Sequence, residues 1–413
     1  MTSEAELKLQ PNSEAATESS VSSGRGLRVL FASCLAHITH DGLTDMLYVF
    51  FPIWQQAYRL SFAQVGLLKT LFSGAMSTLQ IPSGMLASKA GTLKVLCGGT
   101  LLVGLALAGV GFTHSALILG MLLVLGGAGS STQHPLSASA ISNVYPGKAS
   151  RVALSTYNFS GDIGKLIIPG TAALLVAYLG WHHAITLMGL FGVLAATIIF
   201  LALIRVPLER GSRRERTLSR GGFSFLRPER SSLPYCGLVA IGILDSATRT
   251  GFLTFLPFLL QGKGAGVRVV GLALSLIFGG GAAGKFVFGV LAARVGILRS
   301  VILTELGTAA CIYAMIGLPL KSVLLLCPLF GIVLNGTSSV LYGSVPELVP
   351  EACRKEAFAV FYTFTIGAGA IAPSIYGLIS DAIGINACVT LVATVVLATL
   401  PLTLPLRGKL KNA

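Results

Sequence analysis

Six polar residues recur every three or four positions between 37 and 48: His37, His40, Asp41, Thr44, Asp45 and Tyr48. On a helix this spacing places them on one face, a wet stripe down an otherwise apolar run. An ionisable group at bilayer depth costs about 2.5–3.5 kcal/mol or more, so such groups tend to face a cavity and to work there. His37 and Asp41 have the chemistry to trade a proton, because an imidazole and a carboxylate can each hold or release one. Asp45, one turn further on, can do the same. The bland alternative is a fixed polar patch that packs the helix and lines a vestibule.

Further charges interrupt other apolar runs. Asp162 and Lys165 stand three apart, and Asp245 and Arg249 stand four apart. Both spacings allow a local ion pair that neutralises two costly charges. In a working pair, a proton or a solute would compete and free one partner. Lys285 has no acid within reach on its own segment, so it either meets an acid on another helix or awaits an anion. His134 precedes Pro135, which breaks a helix and leaves backbone carbonyls to be satisfied by a side chain or water. The candidates for proton coupling are therefore His37, Asp41, Asp45 and Asp162. The candidates for holding a solute are Gln80, His134, Lys165, Asp245, Arg249 and Lys285, with Lys285 the most available. Arg and Lys are the usual grips for carboxylate and phosphate, so an anionic solute is expected. Glu305 and Glu347 are expected near helix ends, paired with Arg and Lys of the loops.

The elements that must carry these residues are membrane spans. Of the 413 residues, 53% are hydrophobic and only 11% charged, whereas soluble domains carry about a quarter charged residues. Apolar runs predict twelve spans, at 27–55, 64–87, 94–113, 115–144, 152–179, 182–206, 234–261, 268–291, 299–318, 322–346, 355–380 and 384–406. Residues 1–26 read as a disordered cytoplasmic tail, 207–233 as a basic central loop and 407–413 as a second tail. They flank an N-terminal half, 27–206, and a C-terminal half, 234–406. The net charge of +14 lies between the spans, which is a topology pattern and not a nucleic-acid patch. Twenty-two Arg and Lys fall on one side and four on the other. This asymmetry predicts cytoplasmic termini in a bacterial inner membrane.

The halves repeat each other. Pro52 and Pro257 are offset by 205, as are Gly84 and Gly289, while Pro169 and Pro373, and Gly180 and Gly384, are offset by 204. A near-constant offset across four landmarks marks a duplication. The same offset pairs Lys285 with Gln80. Two six-span halves related in this way, with the solute handled between them near the midplane, are the major facilitator architecture. The fold class expected is thus an all-α membrane protein of twelve helices in two pseudo-symmetric halves.

Gly84-Met85-Leu86-Ala87-Ser88-Lys89-Ala90-Gly91 resembles the G-x-L-a-D-r-x-G signature of the major facilitator superfamily. Gly289–Gly296 is a second copy, and Gly377–Gly384 a third. The signature's Asp is Ser88 in the first copy and Ala293 in the second, but is kept as Asp381 in the third. Within that superfamily the chain resembles the fosmidomycin-resistance group of bacterial efflux proteins. The resemblance rests on "AHITHDG" (His37, Asp41), "LQIPSG" (Gln80), "GGAGSSTQHPLSAS" (His134), "VPELVP" and "GLISD". "GDIGKLIIPG" in span five partly resembles an antiporter motif of glycines before a proline, although Ile168 stands where a glycine is expected.

The resemblance implies proton-coupled export of a small compound, with protons, the solute and the bilayer as partners and a monomeric state. Uptake of an organic anion by symport uses the same fold and charges. A metal site or membrane enzyme at His37, His40, Asp41 and His134 is a more remote alternative, since any polar stripe yields that spacing. No metal or cofactor is expected. The seven cysteines lie mostly within apolar runs as packing residues. The sequence has no GxxxxGK[ST] segment, so ATP-driven transport is not supported.

Overall fold

Backbone groups inside a bilayer must bond within their own segment, and the apolar runs duly form helices. The computed structural model describes residues 13–206 and 233–410. The first half comprises α1 (Ser13–Asp45), α2 (Leu47–Tyr58), α3 (Phe62–Thr78), α4 (Gln80–Ala90), α5 (Thr92–Val110), α6 (Ala116–Ser130), α7 (Gln133–Val144), α8 (Gly147–Leu179) and α9 (Trp181–Leu203). The second comprises α10 (Leu233–Gly262), α11 (Val267–Val295), α12 (Ile297–Gly317), α13 (Leu320–Leu348), α14 (Arg354–Ile383), α15 (Ile385–Leu397) and α16 (Thr399–Leu402). There is no strand among the described residues.

Among the described residues, ten helical segments are long and apolar enough to cross a membrane. The expected spans 27–55 and 64–87 are also helical, but they are broken at Met46 and Leu79 into α1–α2 and α3–α4. The polar stripe keeps α1 below the apolarity of the other ten. Outward-facing apolar side chains such as Leu325, 83% exposed, and Phe286, 75% exposed, suit a lipid surround. Helix α1 begins at Ser13, within the segment 1–26 expected as a tail. Glu14, Ala15, Ala16 and Glu18 are good helix formers, and adding turns to an existing helix needs no new nucleus. Residues 1–12, the loop 207–232 and residues 411–413 lie outside the described residues. The helix expected to break near Pro135 does so at Ser131–Thr132, where the missing Pro135 N–H would have bonded the carbonyl of Ser131.

The repeat extends to backbone angles and packing. Gly91 (φ 99°) and Gly296 (φ 93°) turn the chain in the same left-handed region. So do Gly180 (φ 77°) and Gly384 (φ 85°), a region open to glycine at no steric cost. Within the halves, α1 packs on α8 as α10 packs on α14. Likewise α5 packs on α9 as α12 packs on α15, and α3 on α6 as α11 on α13. Between the halves, α3 meets α14 and α11 meets α8. These cross-contacts depend on close approach: a Cβ on Gly66 would collide with the carbonyl of Pro373, and one on Gly377 with that of Phe62.

One end of the inter-half seam is closed. Phe62 of α3 packs on Phe255 and Phe258 of α10, with ring centroids 6.2 and 5.3 Å away. Asp381 of α14 accepts hydrogen bonds from the backbone N–H groups of Phe62 and Ala63 at 2.8 and 2.9 Å. Ser61 and Gln64 form a capping box at the same helix start. The free N–H groups of the first turn of α3 are thereby satisfied.

Candidate functional site

The stripe on α1 faces its own half first. His37 is buried, stacked 4.2 Å from the ring of Tyr157, and its Nδ1 lies 2.7 Å from the Tyr157 carbonyl oxygen. A carbonyl only accepts, so Nδ1 carries a proton. The other ring nitrogen, Nε2, lies 3.2 Å from Oδ2 of Asp41. A bare Nε2 and a carboxylate are both acceptors, so this contact is attractive only with a proton between them. His40 Nε2 and His134 Nε2 approach Oδ1 of the same carboxylate at 3.7 and 3.9 Å. His134 sits edge-on to His37 and His40, with centroids 5.1 and 4.8 Å away.

Gly161 of α8 makes room for this cluster. A Cβ there would lie 2.6 Å from His37 Nε2 and 2.7 Å from Asp41 Oδ2. Gly164, one turn on, similarly admits the backbone of Ile38. Small residues at a membrane helix crossing let backbones approach, and here the approach also sets the ionic geometry.

The lysines do not pair as their spacing suggests. Lys165 Nζ lies 3.2 Å from Asp41 Oδ2 and 3.8 Å from Asp45 Oδ2, so it serves α1 and not Asp162. Asp162 instead receives Lys285 Nζ at 2.6 Å. The local pair 162/165 is therefore replaced by two cross-helix pairs, because α1 and α11 both pack directly on α8. Lys285 is accordingly not a free cation. Asp245 and Arg249, four apart on α10, also fail to form an ion pair among the described residues. Asp245 is 6% exposed, while Arg249 turns to a cavity between the halves.

That cavity has a volume of about 240 Å³. His40, Asp41, Asp45, His134 and Lys165 line it from the first half, together with Thr44, Tyr48, Lys69 and Ser73. Ser246, Arg249, Thr250, Phe278 and Asn335 line it from the second. Gln80, Asp162, Asp245 and Lys285 do not reach it. Lys69 is a cavity residue absent from the sequence-derived candidates. It is 3% exposed, and its Nζ lies 4.6 Å from the centre of the Tyr48 ring. Its sequence signal was present: Lys69 and Ser73 stand i, i+4 on an otherwise apolar helix.

Glu305 differs from the helix-end role expected of it. It is 1% exposed within α12, has no cation within ion-pair distance among the described residues, and leaves its Oε1 without a hydrogen-bond partner. The donor atoms of His37, Asp41 and His134 lie within 4.8 Å of one another, close enough to approach a common ion. Lys165 already holds one of the two Asp41 oxygens, Oδ2.

A helical bundle duplicated into two halves, with a charged cavity between them, is the architecture of a secondary transporter, and the chain belongs to the Major Facilitator Superfamily, whose sequence profile matches residues 33–234 and 238–412. It is 24% identical to the fosmidomycin resistance protein of Escherichia coli (strain K12) over 387 residues, 90% of this chain and 91% of that one. It is 27% identical to a probable sulfoacetate transporter of Cupriavidus necator over 162 residues, 39% of this chain and 37% of that one. Among solved structures, a bacterial homolog of the human lysosomal transporter Spinster, inward-facing and occupied, superposes with a TM-score of 0.72 at 17% identity. That match covers 91% of this chain and 93% of the other. A nucleoside transporter superposes with a TM-score of 0.75 at 14% identity, over 91% and 98% of the two chains.

Proposed function

We propose that this membrane transporter is a proton-coupled exporter of a small anionic compound. It would cross the membrane twelve times, with both termini cytoplasmic in a bacterial inner membrane, and would act as a monomer. The observation that carries this reading is the His37–Asp41 contact. It needs a proton to be attractive, and Asp41 also holds Lys165 at the wall of the inter-half cavity. Gain or loss of that proton changes how firmly Asp41 holds Lys165, so proton occupancy and the charge presented to a solute are linked. Asp45, the second acid within 4 Å of Lys165, completes the coupling set.

The closed end of the seam carries Arg59, Phe62 and Asp381. The asymmetry of Arg and Lys would make this the periplasmic end, leaving the cavity to be reached from the cytoplasm. Export is favoured by the partial antiporter pattern in α8 and by the relative that confers fosmidomycin resistance. Anion handling is favoured by Lys69, Lys165 and Arg249 around the cavity, and by the relative described as a probable sulfoacetate transporter.

Asp41→Asn keeps the shape and hydrogen bonding of the side chain but removes its charge. Reconstituted in liposomes, it should insert and fold yet lose substrate-linked proton flux. Flux at the wild-type rate would remove Asp41 from the coupling site. Substrate accumulation along an imposed proton gradient, instead of against it, would reverse the direction to symport.

A further inference from the structure

Lys165 and Lys285 are both held by acids, which leaves Lys69 and Arg249 as the cavity and site cations with no ion-pair partner among the described residues. Lys69 comes from α3 of the first half and Arg249 from α10 of the second, and both line the inter-half cavity. Each brings neutral hydroxyl groups on its own helix face: Ser73 one turn from Lys69, and Ser246 and Thr250 beside Arg249. Neither α3 nor this stretch of α10 adds an acid to the cavity wall. The Tyr48 ring 4.6 Å from Lys69 Nζ stabilises the ammonium through its π-face, and no carboxylate lies within ion-pair distance of it among the described residues.

We infer that Lys69 and Arg249 form a two-sided seat for a compact anionic head group with carboxylate, phosphonate or sulfonate oxygens, bridging the two halves of the transporter. The inference rests on the anion reading of the proposed function and assigns it to particular residues. A cation with no ion-pair partner at a cavity wall inside the bilayer is costly to keep and is satisfied when an anion arrives. Arg249 offers a planar fork of donors matched to paired oxygens, and Lys69 a point charge. Asp45, within electrostatic reach of Lys69, Lys165 and Arg249, carries the charge against which the ligand must compete. An anion bound here touches both halves, so its arrival and departure act directly on the seam.

The test uses the full-length protein in detergent or nanodiscs. Melting temperature is recorded against malonate, phosphonoacetate and ethanedisulfonate, with neutral malonamide and cationic choline as controls. At least one of the three acids should stabilise the wild type at millimolar concentration, and the strongest identifies the head group. Malonamide and choline should not. Lys69→Gln and Arg249→Gln should each weaken apparent affinity about tenfold or more, the worth of one charge-assisted hydrogen bond. Lys69→Arg should restore most of it. Asp45→Asn should tighten binding, and Arg268→Gln, outside the cavity, should leave it unchanged.

If Lys69→Gln fails to fold, Arg249→Gln and Asp45→Asn decide the matter in the same assay. The seat is overturned if none of the acids binds, if choline binds instead, or if the folded Gln variants bind as tightly as wild type. Lost acid binding with wild-type proton flux removes the seat alone. Intact acid binding without proton flux removes the coupling reading alone.

Discussion

Asp162 and Lys285 belong to different halves of the chain, 123 residues apart, and meet at 2.6 Å between α8 and α11. The pair ties the halves together beside the cavity without lining it. Charge-swapped variants should show this in a double-mutant cycle. Asp162→Lys and Lys285→Asp alone should each destabilise the protein, and the double swap should recover about 1–2 kcal/mol of coupling. Thermal melts of the four proteins give that number. Purely additive effects would mean that the two side chains do not meet.

Gly161 allows His37 and Asp41 to lie against α8, and any side chain there must displace one of them. Gly161→Ala should cost about 1–3 kcal/mol, the usual range for overpacking. Proton-linked transport should fall more than folding does, because the displaced atoms are the ones that share the proton. An alanine variant with full proton flux would show that the His37–Asp41 spacing is not what matters.

Asp381 caps the start of α3 from the opposite half, at a solvent-exposed position. Its loss should cost roughly 0.5–1 kcal/mol, as for other anions at helix starts. The larger effect should be on the seam. Thr70 and Ser374, whose hydroxyls are 2.8 Å apart, can be replaced by cysteines in a background lacking the seven native ones. Their cross-linking should slow when Asp381→Ala is added. An unchanged rate would make the cap local to α3.

Orientation can be tested independently of the chemistry. A reporter active only in the periplasm, fused after Arg216, should be silent, because the basic central loop is expected in the cytoplasm. Strong activity there would invert the topology and move the closed end of the seam to the cytoplasmic side.

What the chain reveals by inspection follows periodicity. The stripe from His37 to Tyr48 repeats at three and four residues, and a helix carries that pattern into space unchanged. The duplication was visible because Gly91 and Gly296, or Gly180 and Gly384, are needed for the same unusual turns. Partner choice was not visible. Spacing along one helix names only neighbours on that helix, and it suggested Asp162–Lys165 and Asp245–Arg249. The structure pairs Lys165 with α1 and Asp162 with α11 because those helices cross α8 at these residues. Lys69 stands as a single charge on its helix, and only helix packing shows that it faces the cavity. Glu305 obeys the same limit: distance along a helix does not reveal which neighbour covers it.

Asp162 and Lys165 stand three residues apart on α8, and one reaches across the seam while the other grips Asp41. A helix moves as one stiff rod over so short a stretch, so both grips ride on a single lever. A shift of α8 that loosens Lys165 from Asp41 also strains the clasp between Asp162 and Lys285. On the proposed coupling, protonation at Asp41 would be transmitted to the joint between the halves through less than one helical turn of backbone, with no hinge loop in between.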